Sequence, residues 1–385
     1  MAAVMKAAPG LVVLWAWSIG LAQSQTGEDE RLRLLHADVA RSFEQNGRVV
    51  RQLEGHVKFQ QGATRMSCER ALQHVDEART EFIGNVVIDD GDRRLQAARV
   101  VYYEKLKIQE AFTRVFLRRG KNSLRAEKVT YRQLERRANA DQSVELFNSE
   151  RRVRVNADRA VYWRDDEHSR FYGNPVLVQL DSLGKEIMRV VGDTMEVFEA
   201  GKRARVRGNV TITRNKTRAQ CGEAEYRADN ESLELRLEPV AWQGQDEIRG
   251  KSIALFFTDE KLTRAHVEDQ AQVVSKVDTA SSDDRLNTIT GGEITMFFAA
   301  EQLQRMVVER TATSFYHVIE AGRNKGKNRA EGDRITLSVK DGNIVRVIVE
   351  SRPGKSTGKF VPPNLPMDRA ASPDTTAGPV SMRAR

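Results

Sequence analysis

A short apolar pattern recurs along this chain with a nearly constant period. The pattern is apolar, any, small, any, any, apolar, any, apolar, and it occurs nine times. Its small residue is Cys68, Ala97, Ala126, Ala157, Gly192, Cys221, Gly250, Gly291 or Gly332. The steps between these positions are 29, 29, 31, 35, 29, 29, 41 and 41 residues. Because periods of this length are typical of stacked supersecondary units, the chain is predicted to be an array of repeats.

Within each repeat, the spacing of the apolar residues predicts a bent β-strand. Leu95 and Ala97 alternate as in a strand, and so do Val100 and Tyr102, but the two pairs differ in parity. One inserted residue, in a β-bulge or bend, would return both pairs to one face of the sheet, and the kink requires a small side chain. We therefore expect each repeat to present one continuous apolar face.

A second signal precedes the small residue in most repeats. It is a strand that carries GHV, GNV, GNP and GNV, starting at Gly55, Gly84, Gly173 and Gly208. Thr113, Asp269 and Arg310 occupy the same place in three further repeats. In two repeats the third position is proline, Pro175 and Pro239, so this position is expected not to donate a hydrogen bond to a neighbouring strand.

The two ends of the chain differ in composition from the repeats. Residues 1–22 have one lysine and an apolar run that is shorter than the ~20 residues of a spanning helix, which predicts an export signal. An uncleaved anchor is the alternative. Residues 23–33 form a polar lead-in, and residues 351–385 hold six of the nine prolines and are expected to be a disordered or docking tail.

The charge of the chain indicates an anionic partner. The formal net charge is +8 and the pI is about 9.5, and basic runs lie at 118–121, 151–154, 202–207 and 323–329. Nucleic acid would fit this charge, but the export signal argues against it. Phosphorylated lipid is the anion that an exported protein of this kind meets.

The two cysteines are expected to be buried and unpaired. Cys68 and Cys221 occupy the same small position five repeats apart. At one strand spacing of ~4.8 Å per repeat they lie at least ~24 Å apart, whereas a disulfide requires Cα atoms within ~7 Å.

The sequence predicts no catalytic site, no metal site and no cofactor. The six histidines are scattered without metal-ligand spacing, and neither a nucleophile elbow nor a phosphate loop occurs. Carboxylates do recur directly after the small residue, at Glu69, Glu127, Asp158, Asp193 and Asp333. Since a catalytic pair normally occurs once, these are interpreted as an architectural position and the protein is predicted not to be an enzyme.

The repeats resemble the OstA/LptA-like proteins of lipopolysaccharide transport. The repeat motif of that family is GNV, then a glycine, then AD followed by alternating apolar residues. Parts of this motif are present in four segments: GNVVIDDGDRRLQAARVVYY (84–103), VNADRAVYW (155–163), RGNVTITRNKTRAQCGEAEYRAD (207–229) and EGDRITLSVKDGNIVRVIVE (331–350). The resemblance extends from about Leu34 to Glu350.

The resemblance implies an all-β fold, an elongated open β-jellyroll of about nine tandem repeats. Residues 34–260 would form the first repeats, and two longer repeats at 261–350 would continue the same jellyroll. The implied function is non-enzymatic binding of lipopolysaccharide, through lipid A, and its transport to the outer membrane from a periplasmic location. The lipid-groove candidates are Val100, Tyr102, Val129, Tyr131, Ala160, Tyr162, Ala224, Tyr226, Ile253 and Leu255.

The predicted partners are lipopolysaccharide and other jellyroll components of a transport bridge, or an outer-membrane assembly protein, joined by pairing of edge strands. A homo-oligomer and an association with the outer membrane stay open. Two other classes also stay open: an exported structural or adhesin-like β-repeat protein, and a carbohydrate-active β-helix. The β-helix is less favoured because it should concentrate carboxylates on one stretch, which this sequence does not do.

Overall fold

A computed structural model describes residues 33–199, 202–214, 217–258, 261–277, 286–300, 302–320, 323–340 and 343–363. The predicted export signal at 1–22 lies outside these residues. The strands are β1 (Arg33–His36), β2 (Val39–Gln45), β3 (Arg48–Gln61), β4 (Thr64–His74), β5 (Arg79–Asp89), β6 (Arg93–Tyr103), β7 (Ile108–Arg119), β8 (Asn122–Arg132), β9 (Arg137–Asn148), β10 (Val153–Trp163), β11 (His168–Tyr172), β12 (Val176–Leu180), β13 (Glu186–Val191), β14 (Thr194–Phe198), β15 (Arg203–Arg214), β16 (Thr217–Arg227), β17 (Ser232–Arg236), β18 (Val240–Gln243), β19 (Asp246–Arg249), β20 (Ser252–Thr258), β21 (Lys261–Lys276), β22 (Leu286–Ala299), β23 (Gln302–Glu320), β24 (Arg323–Lys340), β25 (Asn343–Glu350) and β26 (Thr357–Val361).

The strands pair antiparallel, and each long strand is bonded to the strands before and after it in the chain. The predicted all-β class is therefore confirmed, and the architecture is an elongated open β-jellyroll. No helix in the described ranges is long and apolar enough to cross a membrane. The two longer repeats continue the same pairing, since β21 to β24 are bonded in succession.

Each long strand is bent near its middle, and its two halves belong to two sheets that face each other. In the first repeats, sheet I contains residues 57–61, 64–67 and 86–89, and sheet II contains 48–54, 70–74 and 79–83. Phe59 of sheet I meets Phe82 of sheet II edge to face, with ring centroids 5.8 Å apart. The apolar faces of the two sheets thus form one core between them.

In every second long strand the bend is made by two consecutive residues with left-handed backbone. Such a bend pair occurs nine times in the described strands and connections: 55–56, 84–85, 113–114, 142–143, 173–174, 208–209, 237–238, 269–270 and 310–311. At Gly84–Asn85, two residues of β5 oppose one residue of β6, which is the register shift of a β-bulge. The glycine-centred signal in the sequence therefore marks the bend, because glycine adopts a positive φ at no steric cost.

The small residue lies on the strand next to the bend and is kept small by valine. A Cβ on Gly250 would lie 2.5 Å from Val267 Cγ1, and one on Gly291 would lie 2.6 Å from Val308 Cγ1. At these two positions the distances leave room for little more than a hydrogen atom, whereas alanine or cysteine occupies the small position in five other repeats. The sequence predicted the inserted residue in the strand of the small position itself, but the structure places it in the neighbouring strand, as Gly84 and Asn85 of β5 show.

The residue that follows the small position packs on the first residue of the next bend pair. In two examples, one of the two residues is large and the other is glycine. Glu69 covers Gly84, where a Cβ would lie 2.2 Å from Oε2. Conversely, Gly222 faces Leu237, where a Cβ on the glycine would lie 2.7 Å from the leucine Cβ. The recurring carboxylates are thus one solution to packing at the bend, which supports their architectural interpretation.

The core divides into two clusters along the chain. One extends from Val57 to Val197 and the other from Val210 to Leu337. Val190 and Val206 are partly buried and pack against both clusters. The apolar interior is therefore continuous from end to end.

Each sheet ends in an edge strand at both ends of the molecule. At the N-terminal end β1 pairs with β3 in sheet I and β2 pairs with β3 in sheet II. At the C-terminal end β26 and β25 pair with the two halves of β24. The disorder expected from residue 351 onward is wrong for β26, because Lys327 to Glu331 of β24 offer it an unpaired edge. Residues 364–385 of the expected tail lie outside the described residues.

Candidate functional site

The ten residues predicted to line a lipid groove all belong to sheet II or to its continuation. Each of them is buried, from Ala160 and Ile253 at 0% exposure to Tyr226 at 8%. They are Val100, Tyr102, Val129, Tyr131, Ala160, Tyr162, Ala224, Tyr226, Ile253 and Leu255. The fold thus brings them together on the inner face of one sheet. Contact with lipid stays a prediction.

The opposite wall of this interior was not among the predicted site residues. It consists of inner residues of sheet I, among them Leu95, Leu117, Leu124, Leu146 and Val155, all 5% exposed or less. The signal for this wall was present in the first half of the repeat pattern, where Leu95 and Leu124 occupy the same position. The local pattern does not place this wall in the site, because only the fold brings the two halves of each strand face to face.

The interior is tightly packed between β15–β16 and β17–β20. A cavity between β15–β16 and β17–β20 has a volume of about 10 Å³ and is lined by Ile212, Thr217, Ala219, Leu233, Leu235, Ala241 and Leu255. That volume is at the lower limit for one water molecule. An acyl chain can enter this part of the core only if the two sheets move apart.

The side opposite the bends is where the sheets can separate. Since both sheets start at the bends and face each other, the hairpin turns at their far ends lie along the same side, which we call the mouth. The sheet I rim consists of the turns at 62–63, 90–92, 120–121 and 149–152, and the sheet II rim of the turns at 75–78, 104–107, 133–136 and 164–167. The two sheets are joined on the side of the bends, because each long strand runs there from one sheet into the other.

Polar groups line the inner edge of the mouth. On sheet I, Asn148 Nδ2 donates to Asn122 Oδ1 at 2.8 Å, just outside the buried Leu124 and Leu146. On sheet II, Tyr102 and its equivalents Tyr131 and Tyr162 place a phenol near the turns. The interior therefore changes from apolar to polar toward the mouth.

The outer faces of the sheets are covered by arginines and aromatic rings. Arg203 lies over the Phe198 ring at 4.3 Å and Arg159 lies over the Tyr172 ring at 4.6 Å. Such stacking hides apolar rings from water and keeps the charge exposed.

A buried carboxylate on the outer face of sheet II is neutralised by other arginines of that face. Burial alone would raise the pKa of Glu225, but hydrogen bonds from Arg205 and Arg227 outweigh it and hold that pKa below its ordinary value. This is structural ion pairing and contains no free acid or base.

The recurring carboxylates lie at the bends and bind bend residues. Asn85 Nδ2 donates to Glu69 Oε1 at 2.6 Å, and Asn209 Nδ2 donates to Asp193 Oδ1 at 3.1 Å. Among the described residues, no three His, Cys, Asp or Glu side chains form a group that could hold a metal ion.

Both cysteines are free and buried, as predicted. Burial raises the pKa of Cys68 to about 11 and that of Cys221 to about 12. Because the thiolate is the reactive form, we expect neither thiol to react with a water-soluble disulfide reagent at pH 8 in the folded protein, and both to react in urea. Thiol titration with and without urea measures this, and rapid labelling of the folded protein would contradict it.

The comparisons with known proteins agree with the repeat pattern over part of the chain. The family model for OstA-like protein matches residues 29–183. No curated protein sequence matches the chain significantly.

Fifteen solved chains are similar to this protein. Among them is the crystal structure of LptH, the LptA homologous periplasmic component of the conserved lipopolysaccharide transport device from Pseudomonas aeruginosa. It is 18% identical, covers 38% of this chain and 93% of that chain, and has a TM-score of 0.29. This likeness is too remote to carry an inference about ligand or partners.

The family match covers most of the first core cluster, which extends from Val57 to Val197. Residues 29–183 are therefore similar to OstA-like proteins, which confirms the resemblance for this part of the chain.

Proposed function

We propose that this protein binds lipopolysaccharide in the periplasm by its lipid A part and carries it toward the outer membrane. The observation that supports this most is the apolar interior between the two sheets, which continues through both core clusters. An elongated interior of this kind suits a ligand with several acyl chains. The OstA-like match of residues 29–183 gives independent support.

Binding in this proposal requires the mouth to open. The buried inner residues Val100 and Val129 would exchange contacts with the opposite sheet for contacts with acyl chains. Since both kinds of contact are apolar, the exchange costs little hydrophobic free energy. The polar inner edge of the mouth would then meet the polar part of the lipid.

Photocrosslinking in living cells tests this function. A photoreactive residue placed at Val100 or Val129 is expected to capture lipopolysaccharide on illumination. The same residue at Arg125, whose side chain is 62% exposed on the outer face of sheet I, serves as the control and should capture none. Equal capture from inner and outer positions, or none from either, would contradict the proposal.

A purely structural β-repeat protein is the alternative, and the tight packing of the interior favours it. It predicts that the inner positions stay inaccessible to lipid. The same crosslinking experiment therefore separates the two functions.

We also propose that edge strands join this protein to other jellyroll domains or to a second copy. At the C-terminal end, Val345 of β25 is 61% exposed and Phe360 of β26 is 56% exposed. At the N-terminal end, Leu34 and Leu35 of β1 are about half exposed. Open edges with apolar side chains are templates for strand addition.

Proline at Val347 in β25 should weaken this association, because proline lacks the backbone donor and distorts the edge. Light scattering of the purified protein, alone and with candidate partners, measures the assembly. The same change at Thr357 in β26 tests whether the edge of sheet I contributes. Assembly that both variants leave unchanged would show that this end is not used.

A further inference from the structure

Four basic side chains on the sheet I rim have no anionic partner. They are Arg118, Lys121, Arg151 and Arg152, on the neighbouring hairpins β7–β8 and β9–β10. All four are exposed, and within the described residues none of these side chains forms an ion pair. Glu150 lies in the same turn as Arg151 and Arg152, and Asp181 follows Leu180, whose backbone N–H donates to the Arg152 carbonyl at 2.9 Å.

The two hairpins are held side by side. Ser149 donates to the Lys121 carbonyl through its backbone N–H at 2.9 Å and through its Oγ at 3.1 Å. The Arg151 N–H donates to Asn148 Oδ1 at 2.7 Å. Four adjacent strands span roughly 14 Å at the usual strand spacing, so the four cations form one cluster.

The hairpin before the cluster lacks such an excess of positive charge. At the hairpin before the cluster, Arg93 pairs with Asp90, Arg94 with Asp89, and Arg119 of β7 with Asp92. The cations of the preceding hairpin are therefore paired with carboxylates, whereas those at 118, 121, 151 and 152 are not.

The order of side chains along these strands matches the order of groups in a phosphorylated lipid. From the core outward, β8 and β9 present the buried Leu124 and Leu146, then the hydrogen-bonded amides Asn122 and Asn148. Lys121, Arg151 and Arg152 follow in the turns, and Arg118 lies beside them at the end of β7, on the outer face of sheet I. Acyl chains, a polar linkage and a phosphate occur in the same order along such a lipid.

We propose that Arg118, Lys121, Arg151 and Arg152 bind the phosphate groups of a lipid whose acyl chains lie between the two sheets. This inference rests on the proposed function and adds a recognition site to it. Guanidinium groups suit phosphate because they donate two parallel hydrogen bonds. The cluster would therefore select phosphorylated over dephosphorylated lipid.

The test compares lipid A with the same lipid after removal of its phosphates. Binding to the full-length protein is measured by fluorescence titration for the wild type, for the double variant Arg151→Gln with Arg152→Gln, and for a control. The control is Lys105→Gln with Lys107→Gln on the sheet II rim, which also removes two positive charges.

The wild type is expected to bind lipid A at least tenfold more tightly than the dephosphorylated lipid, and the difference should shrink at high salt. The Arg151 and Arg152 variant should lose about tenfold in affinity for lipid A alone, and the Lys105 and Lys107 control less than twofold.

Four results would overturn the assignment. Equal wild-type affinity for both lipids would refute the phosphate site and leave the proposed function intact, whereas no affinity for either lipid would refute both. Equal losses in the two double variants would show a general charge effect. If inorganic phosphate, which has no acyl chains, binds as tightly as lipid A and displaces it, the cluster is a site for free phosphate only.

Discussion

Replacing Val129 with aspartate should abolish lipid capture and lower the free energy of unfolding by about 3–5 kcal/mol. Val129 is 6% exposed on the inner face of sheet II, opposite the apolar wall of sheet I. An unpaired carboxylate there has no hydrogen-bond partner and loses its hydration. Lipid binding and urea unfolding of the same variant measure the two effects.

Two controls separate loss of the site from loss of the fold. Arg125→Asp changes an outward residue whose ion pair with Glu145 is exposed, so it should cost at most about 1 kcal/mol and leave capture intact. Val129→Ala should cost about 2 kcal/mol and still permit capture, because the position stays apolar. If Arg125→Asp impairs capture as much as Val129→Asp, the inner face is not the lipid site.

Alanine at Gly84 should destabilise the protein by at least about 2 kcal/mol more than alanine at Gly91. Both glycines have left-handed backbone, with φ of +80° and +89°. A Cβ on Gly84 would overlap Glu69, with Oε2 at 2.2 Å, whereas a Cβ on Gly91 would meet nothing within 4 Å. Both variants therefore share the backbone cost of about 1–2 kcal/mol, and only Gly84→Ala adds a clash.

A second substitution should recover most of the extra loss. Glu69→Gly removes the overlapping atoms and reproduces the arrangement at Gly222, which faces Leu237. Urea unfolding of the two single variants and the double variant gives the coupling free energy between the positions. Simple additivity would show that the contact does not set the stability of the bend.

The sequence allowed the repeat, its small position and most of the bends to be predicted, because these depend on local constraints. Gly84, Gly173 and Gly208 were recognisable since left-handed backbone favours glycine. The bend at Gln142–Ser143 was missed. This bend contains no glycine. Its spacing also differs, because the four-residue turn at 149–152 places the bend fifteen residues before Ala157, whereas Gly84 lies thirteen residues before Ala97.

The features that depend on contacts between strands could not be predicted. The pairing of Glu69 with Gly84 joins residues fifteen positions apart, and either member alone resembles an ordinary surface residue. The tight packing of the interior follows from how the two walls interdigitate, which the apolar pattern of one strand does not determine. The pairing of β26 with β24 also needed the structure, because its sequence, TGKFV, is short and only its last residue is buried.

The ladder-like pairing has a consequence for how the molecule can vary in length. Each long strand is bonded to its chain neighbours, and each bend is packed by the adjoining strand. One added pair of strands would therefore lengthen the sandwich by about 10 Å. The new strands would replace the interrupted strand pairing with equivalent pairing on both of their sides. The edge strands at the two ends would keep their sequences and their neighbours. The distance over which a lipid could be passed within one molecule is thus set by the number of repeats, and can change by duplication or deletion without a new fold.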